Sequence, residues 1–162
     1  MRAGIGFDTH GLEPGRRLIL GGVEITGAER GLAGHSDADV LTHAVVDALL
    51  GGAGLGDIGE HFPDTDERWK DADSIELLRA IRNKLSDAGY VPANIDATVA
   101  CEAPKLAPFR DEMRTRLAEA AGLSVDAVNV KFTTGEGMGF VGRNEGIAAL
   151  AVALVTYSSH AL

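Results

Sequence analysis

Cysteine is almost missing from this chain. Cys101 stands alone among 162 residues, which excludes an internal disulfide and any multi-cysteine zinc site and suits a reducing compartment. Long apolar runs are missing too. The longest, GIAALAVALV at 146–155, is about half of the ~20 residues that a membrane span requires. Met1 runs into a strand-like segment with no apolar h-region, so no signal peptide is expected. A soluble, cytoplasmic protein is expected instead. Positive charge is scarce: 15 Lys and Arg against 24 Asp and Glu leave a net charge of −9. A duplex nucleic-acid binder needs clustered positive charge to displace counterions, so that class is excluded. There is no internal repeat and no low-complexity linker. A phosphate-bearing substrate would meet an acidic protein, which must then supply positive charge locally, most simply as bound metal.

What is present fits one globular domain over residues 1–162. A chain of 16.9 kDa with 45% hydrophobic and 24% charged residues can bury a core without staples. Glycine is high, at about 13% against a usual ~7%, and gathers at element ends and in loops. RAGIGFDT (2–9) reads as a strand. GRRLILGGVEIT follows, two apolar bursts around Gly21-Gly22, which is a hairpin signal. Val40, Leu41, Ala44, Val45, Ala48 and Leu49 recur at helical spacing and predict an amphipathic helix from Asp37 to about Gly51. Residues 56–72 show no period and are expected as a long loop of the kind that is functional or mobile. Asp73 and Glu76 form a capping-box-like start to a helix that Gly89 ends. NIDATVAC (94–101) and Val128–Thr133 read as strands, with a helix opening at Pro108 between them. Gly146–Tyr157 is read as a strand, because the flanking elements already supply the helical layer. The sum is an α/β (α+β) domain, one mixed sheet with helices mainly on one face.

Asp8 and His10 sit at the end of the first strand. Residues i and i+2 project to the same face, so a carboxylate and an imidazole point together. His43 lies in the helix that follows. Asp, His and His are ligands that zinc accepts, and three protein ligands leave a fourth position open, which is the catalytic pattern. The plainer reading is a turn aspartate and a surface histidine. His35, Ser36, Asp37 and Asp39 crowd a helix start, either as a capping cluster or as a phosphate-facing site. A Ser-His-Asp triad is rejected, since Ser36 adjoins His35 and no nucleophile elbow is present. GMGFVG (137–142) matches the dinucleotide fingerprint but leaves no room for a βαβ unit and its ribose-binding acid. Thr133, Thr134 and Glu136 end a strand: hydroxyls and backbone N–H groups suit phosphate oxygens, and a lone carboxylate suits Mg²⁺. FPDTD (62–66) reads as a turn.

In this order, GFDTH, HSDADVLTHAVVDALLGGAGLGDIGEHFPDTD, the APK of CEAPKLA, and TTGEGMGFVGRNEG resemble the 2-C-methyl-D-erythritol 2,4-cyclodiphosphate synthase family of the non-mevalonate isoprenoid pathway. The resemblance runs from residue 4 to 146, and the middle segment is highly specific. It implies a homotrimer with three sites at subunit interfaces. It also implies a CDP-linked methylerythritol substrate whose 2-phosphate attacks the β-phosphorus of the CDP and expels CMP. By the same resemblance, zinc falls to Asp8, His10 and His43, and Mg²⁺ or Mn²⁺ to Glu136. His35 and Thr134 would stabilise the transition state, with Thr9 and Ser36 beside the substrate. Asp57, Ile58 and Gly59, with Phe62, Pro63, Asp64, Thr65 and Asp66, would hold the erythritol. Cys101, Glu102, Ala103, Pro104, Lys105, Leu106 and Ala107 would enclose the cytosine. Thr133, Thr134 and Gly135 would meet phosphates, with Phe140 and Arg143 at further binding positions. The family trimer's central hydrophobic cavity leaves an isoprenoid diphosphate as a further candidate ligand.

Three positions depart from the family pattern. Ile5 replaces the common His of G-H-G-F-D, Gly135 replaces a third Thr, and Asn144 replaces a Gly of G-R-G-E-G. None is a metal ligand. The implied chemistry agrees with the residues. The nucleophile is already an anionic phosphate, so no activated Ser or Cys is needed. Orienting two groups of one molecule can supply up to roughly 7–11 kcal/mol of the barrier, and the metals would neutralise the phosphate charge. The competing readings are a metal-dependent phosphodiesterase on the same ligands and a non-catalytic isoprenoid-binding trimer.

Overall fold

The computed structural model describes residues 1–158. Its first strand, β1 (Arg2–Pro14), carries Gly4 and Gly6 on one side of the pleat. A Cβ at Gly4 would lie 1.9 Å from the carbonyl oxygen of Ala48, and one at Gly6 2.0 Å from that of Ala44. The first helix, α1 (Val40–Ala53), therefore rests directly on the strand backbone, a contact that any side chain at these two positions would break. Asp8 and His10 continue the same face of β1, and His43 lies at the matching end of α1.

Short elements hold that helix start in place. β2 (Ile19–Leu20) and β3 (Val23–Glu24) form the hairpin around Gly21-Gly22 expected from the sequence. Asp39 caps α1 and is wholly buried. Its carboxylate accepts from the backbone N–H of Gly21 (2.9 Å), Gly22 (2.7 Å) and Thr42 (3.0 Å), and from the Thr42 hydroxyl (2.7 Å). One side chain thus ties hairpin to helix. β4 (Arg30–Leu32) then pairs antiparallel with the end of β1, Leu12 opposite Leu32.

The 56–72 segment is not all loop. Asp57 caps a single turn, α2 (Ile58–His61), by accepting from Glu60 N–H at 3.0 Å, and a 3₁₀ turn follows at Glu67–Trp69. In α3 (Ser74–Asp87), Asp73 accepts from Ile75 N–H at 2.9 Å, but Glu76 pairs with Arg79. Only half of the expected capping box is made, because the nearby guanidinium is the stronger partner for that carboxylate. β5 (Tyr90–Ala100), α4 (Arg110–Ala121), β6 (Val128–Thr133), the single turn α5 (Gly139–Gly142) and β7 (Gly146–Tyr157) complete the chain.

The sheet has the order β4-β1-β7-β5-β6, with β5 and β6 parallel and the other pairs antiparallel. The apolar run read as a strand is β7, placed between β1 and β5. α1, α3 and α4 cover one face. α1 is buried on most of its surface rather than along one stripe, because the sheet lies below it and α3 beside it. Among the described residues, no helix covers the opposite face at β1 and β7. Ile5 (67% exposed) stands opposite Val152 (41%), and Phe7 (60%) opposite Leu150 (42%), so an apolar patch runs across two central strands.

Candidate active site

Alternation along β1 brings Asp8 and His10 to the helix-covered face, and α1 lowers His43 between them. Asp8 Oδ2 lies 3.0 Å from His10 Nε2 and 3.0 Å from His43 Nδ1, and the two ring nitrogens are 3.3 Å apart. Among the described residues this is the one cluster of three potential metal-ligating side chains. The other ring nitrogens are committed. His10 Nδ1 donates to the carbonyl of Ala33 (2.7 Å), and His43 Nε2 lies 2.8 Å from Ser74 Oγ. With those protons placed outward, three lone-pair atoms face one another, an arrangement that calls for a cation. Atoms 2.0–2.2 Å from a tetrahedral zinc stand roughly 3.3–3.6 Å apart, so the triad fits such an ion with a slight expansion. The same short contacts favour a proton as well as a metal ion, since both are positive. Burial alone would raise the Asp8 pKa, but the hydrogen bonds and charges of His10 and His43, when those rings are protonated toward it, hold it well below the usual carboxylate range. Burial would lower that of His10, but its bond to Asp8 outweighs this and raises it.

The triad opens into a cavity of about 480 Å³. Of the residues expected at the site, His35, Ser36, Ile58, Gly59, Phe62, Pro63 and Asp64 line it with the triad. His35 is gripped twice: its Nε2 donates to Asp66 O (3.2 Å), and its carbonyl accepts from Asp71 N–H (2.9 Å). Arg16 reaches the carbonyls on either side of it, Gly34 and Ser36, both at 2.8 Å. Asp66 turns its carboxylate outward to a fork with Arg68 (2.6–3.1 Å). Thr9, Asp57, Thr65 and Asp66 do not line this cavity.

Gly34, Asp47, Trp69 and Leu77 also line the cavity, and sequence reasoning missed them. Asp47 Oδ1 accepts from Ile58 N–H at 2.8 Å and so fixes the α2 turn against α1. Its spacing of four from His43 puts both on one helix face, a signal that was available. Trp69 stands edge-on to Phe62 with ring centroids 4.9 Å apart. Nothing local in the sequence marks it.

The other expected residues gather elsewhere. Cys101, Glu102, Pro104, Lys105, Leu106, Ala107, Thr133 and Thr134 line a separate cavity of about 310 Å³. Burial pushes the Cys101 thiol up to about 11. Glu102 accepts from Gly135 N–H at 2.9 Å, joining the two loops. Thr134 accepts from Glu136 N–H at 3.3 Å. Ala103, Gly135, Glu136, Phe140 and Arg143 lie outside both cavities, and Arg143 is engaged with Glu145 at 2.8 and 3.0 Å. Within one chain, then, the metal-ligating half and the loop half are not brought together. The departures also have places. Ile5 is on the sheet face opposite the helices, and Asn144 has a left-handed backbone (φ 55°) that Asn tolerates better than most residues.

The YgbB family model matches residues 1–156. A 2-C-methyl-D-erythritol 2,4-cyclodiphosphate synthase from Salinibacter ruber is 61% identical over 96% of this chain and 98% of its own length. The bifunctional IspDF of Campylobacter jejuni superposes with a TM-score of 0.92 at 45% identity, covering 96% of this chain and 42% of that one. The CDP complex of IspF from Plasmodium falciparum superposes at 0.84 with 28% identity, covering 98% and 97%.

Proposed function

The chain belongs to the YgbB family, and we propose that it carries out the cyclodiphosphate-forming reaction for which its relatives are named. The substrate is 4-diphosphocytidyl-2-C-methyl-D-erythritol 2-phosphate. An oxygen of the 2-phosphate bonds to the β-phosphorus, the bond from that phosphorus to the α–β bridging oxygen breaks, and CMP leaves with that oxygen and the electron pair. The enzyme class is a phosphorus–oxygen lyase. One observation carries the reading: three lone-pair atoms 3.0–3.3 Å apart in the wall of a cavity of about 480 Å³.

Asp8, His10 and His43 would hold zinc, and Glu136 would hold Mg²⁺ or Mn²⁺. When bound, these ions supply positive charge to phosphate oxygens and act as Lewis acids. The chain's own residues orient and enclose. Asp57 to Gly59 and Phe62 to Asp66 hold the erythritol. Cys101 to Ala107 enclose the cytosine, Thr133 and Thr134 meet the phosphates, and Phe140 and Arg143 serve further binding positions. His35 and Thr134 stabilise charge in the transition state. No residue need act as general base, because the attacking phosphate is already an anion.

Residues 1–162 act as one domain in a cytoplasmic homotrimer. Each site is completed by a neighbouring subunit, a reading supported by the separation of the two cavities and by the bare patch at Ile5, Phe7, Leu150 and Val152. A hydrophobic space between the three subunits would admit an isoprenoid diphosphate. Phosphorus NMR of the protein with the CDP substrate tests the reaction. Cyclic diphosphate with equimolar CMP is expected. Linear products would make the protein a phosphodiesterase instead, and no turnover would leave a binding trimer.

A further inference from the structure

His43 has two ring nitrogens, and the chain decides which one faces the triad. Ser74 is fully buried at the first turn of α3. Its backbone N–H donates to Asp37 Oδ2 at 2.9 Å, and its hydroxyl donates to Asp37 Oδ1. A carboxylate can only accept, so the hydroxyl proton is committed to Asp37. Ser74 Oγ then meets His43 Nε2 at 2.8 Å as an acceptor. His43 must therefore carry its proton on Nε2 and present the Nδ1 lone pair to Asp8 and His10. The direction of every bond follows from the acid at the far end.

From this geometry we infer that Ser74 and Asp37 are positioning residues for the metal centre, setting the tautomer and ring angle of His43 through the relay His43–Ser74–Asp37. The inference rests on the reading of Asp8, His10 and His43 as metal ligands. Outer partners of ligating histidines raise affinity by fixing the ring and its tautomer, and losing one costs roughly 10–100-fold in metal affinity. A second hydroxyl, Ser36 Oγ, also lies near Nε2, but at 3.3 Å and already accepting from Ala38 N–H at 3.2 Å. The relay also links two elements. Asp37 ends the segment that carries His35 and Ser36, and Ser74 opens the helix that follows the 56–72 segment, so the cavity's two walls meet behind the metal ligand.

Ser74→Ala separates this role from helix capping, because the backbone N–H that Asp37 caps survives the change. The metal-free protein is titrated with Zn²⁺ against a chromophoric chelator, and histidine ¹⁵N–¹H spectra of the zinc-loaded protein are recorded. Wild type is expected to bind one Zn²⁺ per chain with a slowly exchanging His43 Nε2–H. Ser74→Ala is expected to bind Zn²⁺ roughly 10–100-fold more weakly and to lose that slow exchange. Ser36→Ala is expected to keep zinc affinity within about threefold. A folded Ser74→Ala protein with wild-type affinity and an unchanged Nε2–H signal overturns the relay while leaving the metal site standing. So does Ser36→Ala weakening zinc in its place. If Ser74→Ala does not fold, a wild-type spectrum showing Nδ1–H on His43 overturns the relay by itself. Failure of wild type to bind Zn²⁺, or His43→Ala binding it equally well, fails the metal reading instead.

Discussion

Restoring the family's usual threonine at position 135 is expected to harm this protein. A Cβ built on Gly135 would lie 2.4 Å from Gly142 N, 2.8 Å from Gly142 Cα and 2.8 Å from Met138 O. All three are backbone atoms, so no side chain can swing aside. Restoring ordinary contact needs a retreat of about 1 Å by the 138–142 turn, and forced overpacking of this kind costs about 1–3 kcal/mol. The turn is itself pinned, since Met138 N–H donates to Gly135 O at 2.8 Å and Gly142 N–H to Met138 O at 2.9 Å. Gly135 N–H also holds Glu102 at 2.9 Å, so the strain spreads to the loops that carry Thr134 and Glu136. A misplacement of about 1 Å can cost on the order of 10²-fold in rate. Gly135→Ala should therefore lower turnover by about 10–100-fold and lower thermal stability, with Gly135→Thr at least as severe. The assays are CMP release and thermal melting. A Gly135→Ala protein with turnover within about twofold of wild type and an unchanged melting temperature would refute the steric argument.

Glu136→Gln should keep zinc and fold but lose most turnover, with partial rescue by added Mg²⁺, because it removes a carboxylate suited to that ion. Turnover within about twofold of wild type would mean that Glu136 holds no metal. Asp39→Asn should lower stability in urea by about 2–4 kcal/mol, since an amide turns an N–H₂ toward donors that faced a charged oxygen. A shift below about 0.5 kcal/mol would show that hairpin and helix hold without the cap. Cys101, its thiol pushed up to about 11 by burial, should resist alkylation near pH 8 in the folded protein and react as the pH approaches that value. Rapid labelling at pH 8 would contradict it. His43→Ala and a bulky replacement at Ala103, each inactive alone, should regain part of the activity when refolded together. Mixed trimers that stay inactive would place each site within one subunit.

What the sequence made legible was local. The Asp8–His10 pair follows from strand alternation, the Gly21-Gly22 hairpin from its turn, and the start of α3 from Asp73. What stayed hidden arrives by packing. β4 is three residues long and exists only because the far end of β1 offers it a partner. The α2 turn needs Asp57 as its cap and Asp47, from another helix, to hold Ile58 N–H. α1 shows a helical period, yet its near-total burial depends on Gly4 and Gly6 letting it touch the strand. Trp69 and Leu77 carry no motif and reach the cavity, and Ser74 reaches His43, through the course of the chain after residue 66. The separation of the metal-ligating residues from the 101–107 and 133–136 loops is likewise a property of the sheet order. β5 and β6 lie beyond β7, away from β1.

The net charge of −9 poses a physical problem that the fold solves in one place. Two histidines turn their protons outward, one to a carbonyl and one to Ser74, and so aim lone pairs at the Asp8 carboxylate. Three lone pairs aimed at one point repel unless a positive charge, a proton or a metal ion, lies between them. The glycine contact between β1 and α1 and the outward hydrogen bonds hold them together nevertheless. Folding therefore builds a local demand for positive charge, which a cation bound at the triad would meet. An acidic chain can then attract a multiply charged phosphate ester without a basic surface, because attraction resides at that single point rather than across the molecule. On the proposed function, selectivity for the substrate would depend on the distance from the triad to the groups that fix the rest of it. That places Asp47, which sets α2 against α1, and Arg16, which braces the carbonyls beside His35, among the residues on which that distance depends.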